Sequence, residues 1–546
     1  MATRVNVVIV GAGLAGLSAA LKAKDLGKSY VVLEGSDRAG GRAKSENPTR
    51  AHEPPFDVDF GAAYVGQSQN HIQYLARRFQ LHILPTYLAR TREWMFEFST
   101  ERLERFPGNN HLDFPGRLNA GVRLVELDTL ALELRQYASD PWRHPQAAFL
   151  DSMTAEDWML AKRAEYDAQP EPRDERIGMN PDTQAAFVSA VRCAFSLEPR
   201  QISFFFLLYY SALAGSFASL VDVSGGQGAA EGARFMFGTK QLVRNLLDEV
   251  GPDNVLFGRR VTKIEESSTG VRVSSGAEIF EADYVIVAMS PPASAKLDYA
   301  PPLSSSILGQ MREQLCSRMT GCMGKTIKGF VRFKKPSWRT AKSEGGQGLM
   351  GFFLSAGPRE TCPVSWTLDN TWDPSDAHFE HFLGRKAPKR EQPENPICRL
   401  MTFIVGDAAD FWTAGKTKAD RAKAVIDHLQ RAYKFRDDEL FDETDRNANY
   451  IEENWLDVSE LGVPSPAAMM PKETLSQFGE ALRTPIGRVH WAGSETALEW
   501  CGYMDGAVES GFRAARDVAA LIERGSVEGA ASEPRESAER FVRESA

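Results

Sequence analysis

The residues able to do chemistry gather near the two ends of the chain. Gly11, Gly13 and Gly16 form G-x-G-x-x-G, with Ala15 inside the motif. The three glycines serve a tight turn, close approach of backbone to a pyrophosphate, and close packing of helix on strand. Glu34 lies 18 positions after Gly16, near the spacing of about 20 at which an acid accepts from ribose hydroxyls. A carboxylate there repels a 2′-phosphate, so NADP is disfavoured as the resident nucleotide. Arg38, Gly40, Gly41 and Arg42 then form R-x-G-G-R. This second glycine turn lets backbone meet the same ligand further along its length, and either guanidinium suits bidentate contact with phosphate. At the far end stand Gly493, Glu495 and the G-Y-M-D-G-A run from Gly502 to Ala507. A helix starting near Met504 aims its positive N-terminus at the ligand, where it stabilises developing negative charge. The opening motif by itself leaves NAD and FAD both open.

These groups need elements to position them. Val7 to Val10 reads as a buried parallel strand. The helix from about Leu14 to Leu26 is ended by Gly27, and Tyr30 to Leu33 is a second strand carrying Glu34 at its carboxyl end. Phe56 to Phe79 reads as strand, glycine loop and amphipathic helix. Its loop Gly61-Ala62-Ala63, followed by Tyr64, is small enough for backbone to lie against a flat ring. Phe204 to Phe217 is apolar all round, which predicts a buried helix. Further strands are expected at 254–257, 261–264, 271–274 and 284–288, and Lys328 to Trp338 alternates as a strand. Val489 to Ala492 is the strand leading into the closing motif, whose small residues Gly506, Ala507, Gly511, Ala514 and Ala515 allow tight helix packing.

A chain of 546 residues exceeds what one hydrophobic core usually supports, so two domains are expected. The 43% hydrophobic and 25% charged content is that of a soluble globular protein. A net charge of −9 speaks against nucleic acid or an anionic membrane as main partner. The six cysteines form no CxxC and pair with no histidine at zinc spacing, which predicts free thiols in a reducing, cytoplasmic setting and no metal. The first strand begins near Val5, leaving no room for a signal peptide. No apolar run of about 18 residues marks a membrane span. Residues 526–546 read as a mobile polar tail.

With the R-x-G-G-R element and the closing G-Y-M-D-G-A run in place, the chain resembles the FAD-containing amine oxidase family. The likeness covers both ends and several middle segments, and the substrate lobe more loosely. It implies an α/β fold: a Rossmann-like FAD-binding domain with an interleaved α+β substrate-binding domain. The segments are 1–90, 236–300 and 446–525 for the FAD domain and 91–235 and 301–445 for the substrate domain. FAD contacts are implied at Gly11, Gly13, Ala15, Gly16, Glu34, Arg38, Gly40, Gly41 and Arg42. They continue at Gly61, Ala62, Ala63, Tyr64, the backbone near Val261 (at the adenine), Trp455 (beside the flavin), Gly493, Gly502 and Ala507. By the same resemblance Glu495 bonds the ribityl chain, the Met504 backbone meets flavin O2, and Tyr503 stands on the substrate side of the ring. Lys328, in G-K-T-I-K-G-F-V, matches the lysine that holds a water at flavin N5, with Lys325 and Lys334 leaving the register open. Gln227, Leu220 and Ser465 fall where the substrate pocket is expected.

The chain also departs from the family. In animal monoamine oxidases a cysteine soon after the N-W pair links covalently to FAD, and a second tyrosine completes an aromatic cage. Here N-W-L-D-V-S-E-L-G-V-P-S-P-A-A-M-M-P holds neither. FAD is therefore expected to bind non-covalently, with Ser465, Pro466 or Ala467 in place of half the cage, favouring an amine bulkier or longer than a small arylalkylamine. The implied reaction takes hydride equivalents from the carbon next to nitrogen, gives an imine that water hydrolyses, and reduces O2 to H2O2. No nucleophile is required. One rival is an L-amino acid oxidase, with Arg90 or Arg92 clamping a carboxylate. Another is a flavin-binding partner protein with little turnover. The closing motif argues against a desaturase or porphyrinogen oxidase. A homodimer is compatible with the chain.

Overall fold

A computed structural model describes residues 4–47, 57–86, 93–107, 117–222, 228–340, 348–372, 397–457 and 466–525. Val5–Val10 buries its last four residues, as a strand covered on both faces must. It runs parallel between Tyr30–Leu33 and Glu278–Val287. An eight-stranded sheet grows from this trio. Val255–Leu256 extends it past Tyr30–Leu33, and Val489–Trp491 pairs in parallel with the end of Glu278–Val287. Gly270–Ser275, Lys263–Ser267 and Asp298–Ala300 continue it on the other side. Strands from the beginning, middle and end of the sequence thus share one sheet.

Helix Leu14–Asp25 and the closing helix Met504–Arg524 join one apolar cluster with Val7, Ile9 and Ile286. A Cβ on Gly511 would sit 2.2 Å from Ala15 O, so the small residues permit the two backbones to touch. The strand expected at 261–264 is displaced to Lys263–Ser267. The preceding backbone is already committed elsewhere: Gly258 N donates to Ser36 O and Arg259 N to Glu34 O.

The apolar stretch from Phe204 is a helix with every residue buried, but it closes at Leu213. Gly215 turns the chain at φ +99°, and Ser216 caps a separate short helix, Phe217–Val221. Both pack into the largest cluster of buried apolar residues, with Phe195, Leu315 and Met470.

A second, seven-stranded sheet is ordered 450–454, 326–333, 398–405, 366–369, 349–355, 93–97, 103–107. Its last strand in sequence, Tyr450–Asn454, pairs antiparallel with Thr326–Phe333, so this sheet reaches past the boundary expected at 445. All eight residues of Thr326–Phe333 are buried, although the sequence alternates. Helix Lys418–Tyr433 covers Ile327 and Val331 on one face, while Phe330 meets Phe60 and Met401 on the other. Among the described residues no helix is long and apolar enough to cross a membrane.

Candidate active site

Gly11 adopts φ +102°, and a Cβ there would lie 2.9 Å from Ala288 O. On Gly16 it would lie 1.8 Å from Gly11 O. These two glycines serve the fold itself. Gly13 differs: its φ is −71°, and an added Cβ would have only Gly40 O nearby, at 3.9 Å. The space in front of Gly13 is open, and the helix behind it starts with no side-chain cap and no acid in its first turn. Its first N–H groups are free for an anion. Gly40 N donates to Ala12 O at 2.9 Å, which lays the second glycine turn along the first. Glu34 accepts from Ala12 N (2.7 Å), Ser36 N (2.8 Å) and Ser36 Oγ (2.9 Å). Arg38 donates to Gly41 O. Val261 is buried beside Leu33 and Ile264, just after the backbone that bonds Glu34.

The two ends of the chain meet at Arg42 and Glu495. The guanidinium spans the carboxylate at 2.6 and 3.0 Å and also donates to Pro466 O. Ser494 Oγ and Ala468 N fill the remaining lone pairs of Glu495. Burial pushes the Glu495 carboxyl up, but Arg42 more than offsets this and leaves it below the usual range. Gly493, at φ +128°, turns the chain toward this pair.

Gly61 packs on the same region: its N donates to Lys44 O, and Ala62 N donates to Arg42 O. A Cβ at Gly61 would lie 2.1 Å from Arg42 O. Two side chains, one on the second sheet and one just past its strand Tyr450–Asn454, grip this loop. Trp455 Nε1 donates to Phe60 O at 2.8 Å, and Lys328 Nζ donates to Gly61 O at 2.7 Å. Lys325 pairs with Asp410 and Lys334 with Glu443, so of the three lysines Lys328 is the one that reaches the loop. It lies within 5.8 Å of the Phe330 ring and 5.4 Å of the Phe403 ring. Ala63 is buried, and Tyr64 donates to Met401 Sδ at 3.6 Å.

Tyr503 occupies the N-cap position of the closing helix, where no side chain caps the first N–H groups. Its ring packs 5.2 Å from Trp500 and 6.1 Å from Tyr210. Gly502, at φ +82°, is held against Tyr210: a Cβ there would sit 2.4 Å from Tyr210 Oη. Leu220 and Ala467 belong to the cluster on which Tyr503 packs, and Ala507 N bonds Tyr503 O. Gln227, Ser465, Arg90 and Arg92 lie outside the described residues, as does the 526–546 tail.

Sequence reading missed three members of this site. Tyr210 is hidden inside a helix that reads as plain core. Asp59 is half-buried and accepts from Ser45 and from Thr239 N and Oγ1; desolvation raises it, against the pull of Lys328. Glu231 is pushed up by burial to about 7, again against Lys328. Lys328 is itself pushed down to about 8, by burial first and Arg234 second, with Asp59 and Glu231 opposing.

The open front at Gly13, the two uncapped helix starts and the glycine loops that converge on Arg42 fit a long dinucleotide such as FAD. Known proteins agree. A family model described as flavin containing amine oxidoreductase matches residues 14–519. Amine oxidase [flavin-containing] B from Bos taurus is 28% identical over 525 residues, 95% of this chain and 86% of that one. The Rattus norvegicus protein of that name is 29% identical over 525 residues, with the same coverage. Among solved structures, cyclohexylamine oxidase from Brevibacterium oxydans IH-35A superposes with a TM-score of 0.76 at 26% identity. The match covers 96% of this chain and 100% of that one. Putrescine oxidase bound to putrescine shares the fold, with a TM-score of 0.75 at 22% identity, covering 95% and 99%. The chain therefore belongs to the flavin containing amine oxidoreductase family, whose members are FAD-dependent amine oxidases.

Proposed function

We propose that this enzyme oxidises the C–N bond of an amine bulkier or longer than a small arylalkylamine. The resulting imine is hydrolysed to an aldehyde or ketone, and O2 is reduced to H2O2. The observation that carries this reading is Lys328, a buried amine from the second sheet seated on the carbonyl of Gly61. FAD, when bound, would accept a hydride equivalent from the C–H bond next to nitrogen and pass the two electrons to O2.

The protein's own residues do the rest. Gly13, the start of helix Leu14–Asp25 and Glu34 hold the adenine-nucleotide end, and the closing helix start at Met504 supports negative charge at the other. Lys328 supplies a fixed donor where O2 is reduced. Tyr503 presents an aromatic wall to the amine. By the family resemblance, Ser465, Pro466 and Ala467 stand in place of the second cage tyrosine, and their small size leaves room for bulk. FAD is held without a covalent bond. In support, the Cys501 thiol, near Glu495, is buried and pushed up to about 12, so it stays protonated and poorly nucleophilic.

A peroxide-coupled screen over amines of rising length and bulk tests the reading. Larger amines should turn over faster than benzylamine, and flavin should leave the polypeptide on heat precipitation. Flavin that no amine bleaches under anaerobic conditions would remove the oxidase assignment.

A further inference from the structure

Glu231 has no part in the roles assigned so far. It lies on the segment that precedes Ala233–Phe235, a strand paired with Tyr64–Val65 just after the Gly61 loop. Its backbone is fixed there: Thr86 Oγ1 donates to Glu231 O at 2.6 Å, and Thr86 N donates to Gly232 O at 2.9 Å. The side chain is half-buried. Among the described residues its carboxylate forms no hydrogen bond and no ion pair, and Lys328 is the one charged group that acts on it. A half-buried carboxylate without a donor from its own chain is open to a ligand that supplies one.

Its charge acts on groups from four other elements. Lys328 lies on strand Thr326–Phe333, Tyr503 at the start of the closing helix, Tyr64 on its own short strand and Cys193 on helix Pro181–Phe195. Asp59 and Arg234 also act on Lys328. None of these is equipped to take a proton. Lys328, pushed down to about 8, is already a cation at neutral pH and donates to Gly61 O. Asp59 is already met by donors from Ser45 and Thr239. The Tyr503, Tyr64 and Cys193 side chains are each pushed up by burial, with the Glu231 charge adding to it, so they keep their own protons. Arg234 has no acceptor to offer.

Amines of this kind reach an enzyme as ammonium ions, since an alkylamine titrates near 10, like lysine. Oxidation next to nitrogen needs the free base. We propose that Glu231 is the catalytic group that receives the substrate ammonium and takes its proton. R–CH2–NH3+ and the Glu231 carboxylate become R–CH2–NH2 and the Glu231 carboxylic acid, with the amine held on the Tyr503 side. The proton passes to solvent when product leaves. This inference rests on the amine oxidase reading above.

The test uses the flavin-loaded enzyme and its Glu231→Gln and Glu231→Asp variants. Cyclohexylamine and hexylamine serve as probes, and anaerobic flavin reduction is followed by stopped-flow from pH 6 to 10. The native enzyme should show an acid limb near the Glu231 titration at about 7. Glu231→Gln should keep its flavin, lose that limb and reduce about 100-fold more slowly at pH 7. The deficit should close to within about threefold near pH 10, where free amine is supplied by solution. Glu231→Asp should recover part of the rate. A Glu231→Gln enzyme with the native pH profile, or with an equal loss at every pH, would overturn the proposal. Native flavin that neither probe nor any other amine bleaches would instead overturn the oxidase reading, and this inference with it.

Discussion

Arg42 and Glu495, 453 positions apart in sequence, form a bidentate ion pair at 2.6 and 3.0 Å. Arg42 belongs to the second glycine turn and Glu495 to the closing motif. Their contact is where the two halves of the cofactor site are locked together. The side chains are unequally protected: Glu495 is 2% exposed and Arg42 is 29% exposed.

That asymmetry fixes the outcome of removing one partner. Arg42→Ala leaves a buried carboxylate uncompensated and should destabilise by about 3 kcal/mol. The double variant Arg42→Ala, Glu495→Gln should be more stable than Arg42→Ala alone, because the stranded charge is gone. Urea unfolding of the single and double variants measures the difference.

Gly13→Val should fold and fail to bind flavin. The hypothetical Cβ meets only Gly40 O at 3.9 Å, so the protein accommodates the branch point while the pyrophosphate space is filled. Visible absorbance per polypeptide should fall about tenfold or more, with far-ultraviolet circular dichroism unchanged. Gly16→Ala, whose Cβ would lie 1.8 Å from Gly11 O, should instead lose soluble protein.

Lys328→Met should slow reoxidation of reduced enzyme by O2, by about 10- to 100-fold, and leave reduction by amine within about threefold. The lysine is held down near about 8. Its cation is therefore present below that pH and lost as pH rises through it. Native reoxidation should decline over that window, and the variant should be flat. Stopped-flow mixing of reduced enzyme with O2 across pH 6 to 10 reads both effects.

Gly502→Ala combines a left-handed φ of +82° with a contact of 2.4 Å to Tyr210 Oη. The conformation alone costs about 1–2 kcal/mol, and the clash adds to it. Thermal unfolding should show a loss that Tyr210→Phe partly restores in the Gly502→Ala background, since the nearest atom is removed. Simple additivity of the two substitutions would contradict the contact.

Much of the site was legible in the sequence because its parts are backbone conformations dictated locally. Gly11, Gly16, Gly493 and Gly502 sit where a side chain would collide or φ is positive, and that demand is written in residue type and spacing. Apolar runs at Val7 and Phe204 found their elements for the same reason. Boundaries slipped where distant backbone had prior claim, as at 261–264, or where a glycine broke a uniform apolar run, as at Gly215. Tertiary structure alone decided which side chains meet. Lys325, Lys328 and Lys334 are alike in type, and only the burial of one strand between a helix and the Phe60 loop singles out Lys328. Glu231 reads as an ordinary acid until Thr86 and Tyr64–Val65 fix the backbone around it, from where its charge acts on Tyr503 and Lys328. Cys362 and His428, far apart and at no metal-binding spacing, come together at Glu97, the last residue of a strand in the second sheet. There Val364 N donates to His428 Nδ1, which leaves Nε2–H to face Glu97. Short-range geometry is carried by residue type; the pairing of remote charges depends on the path of the whole chain, which local sequence does not encode.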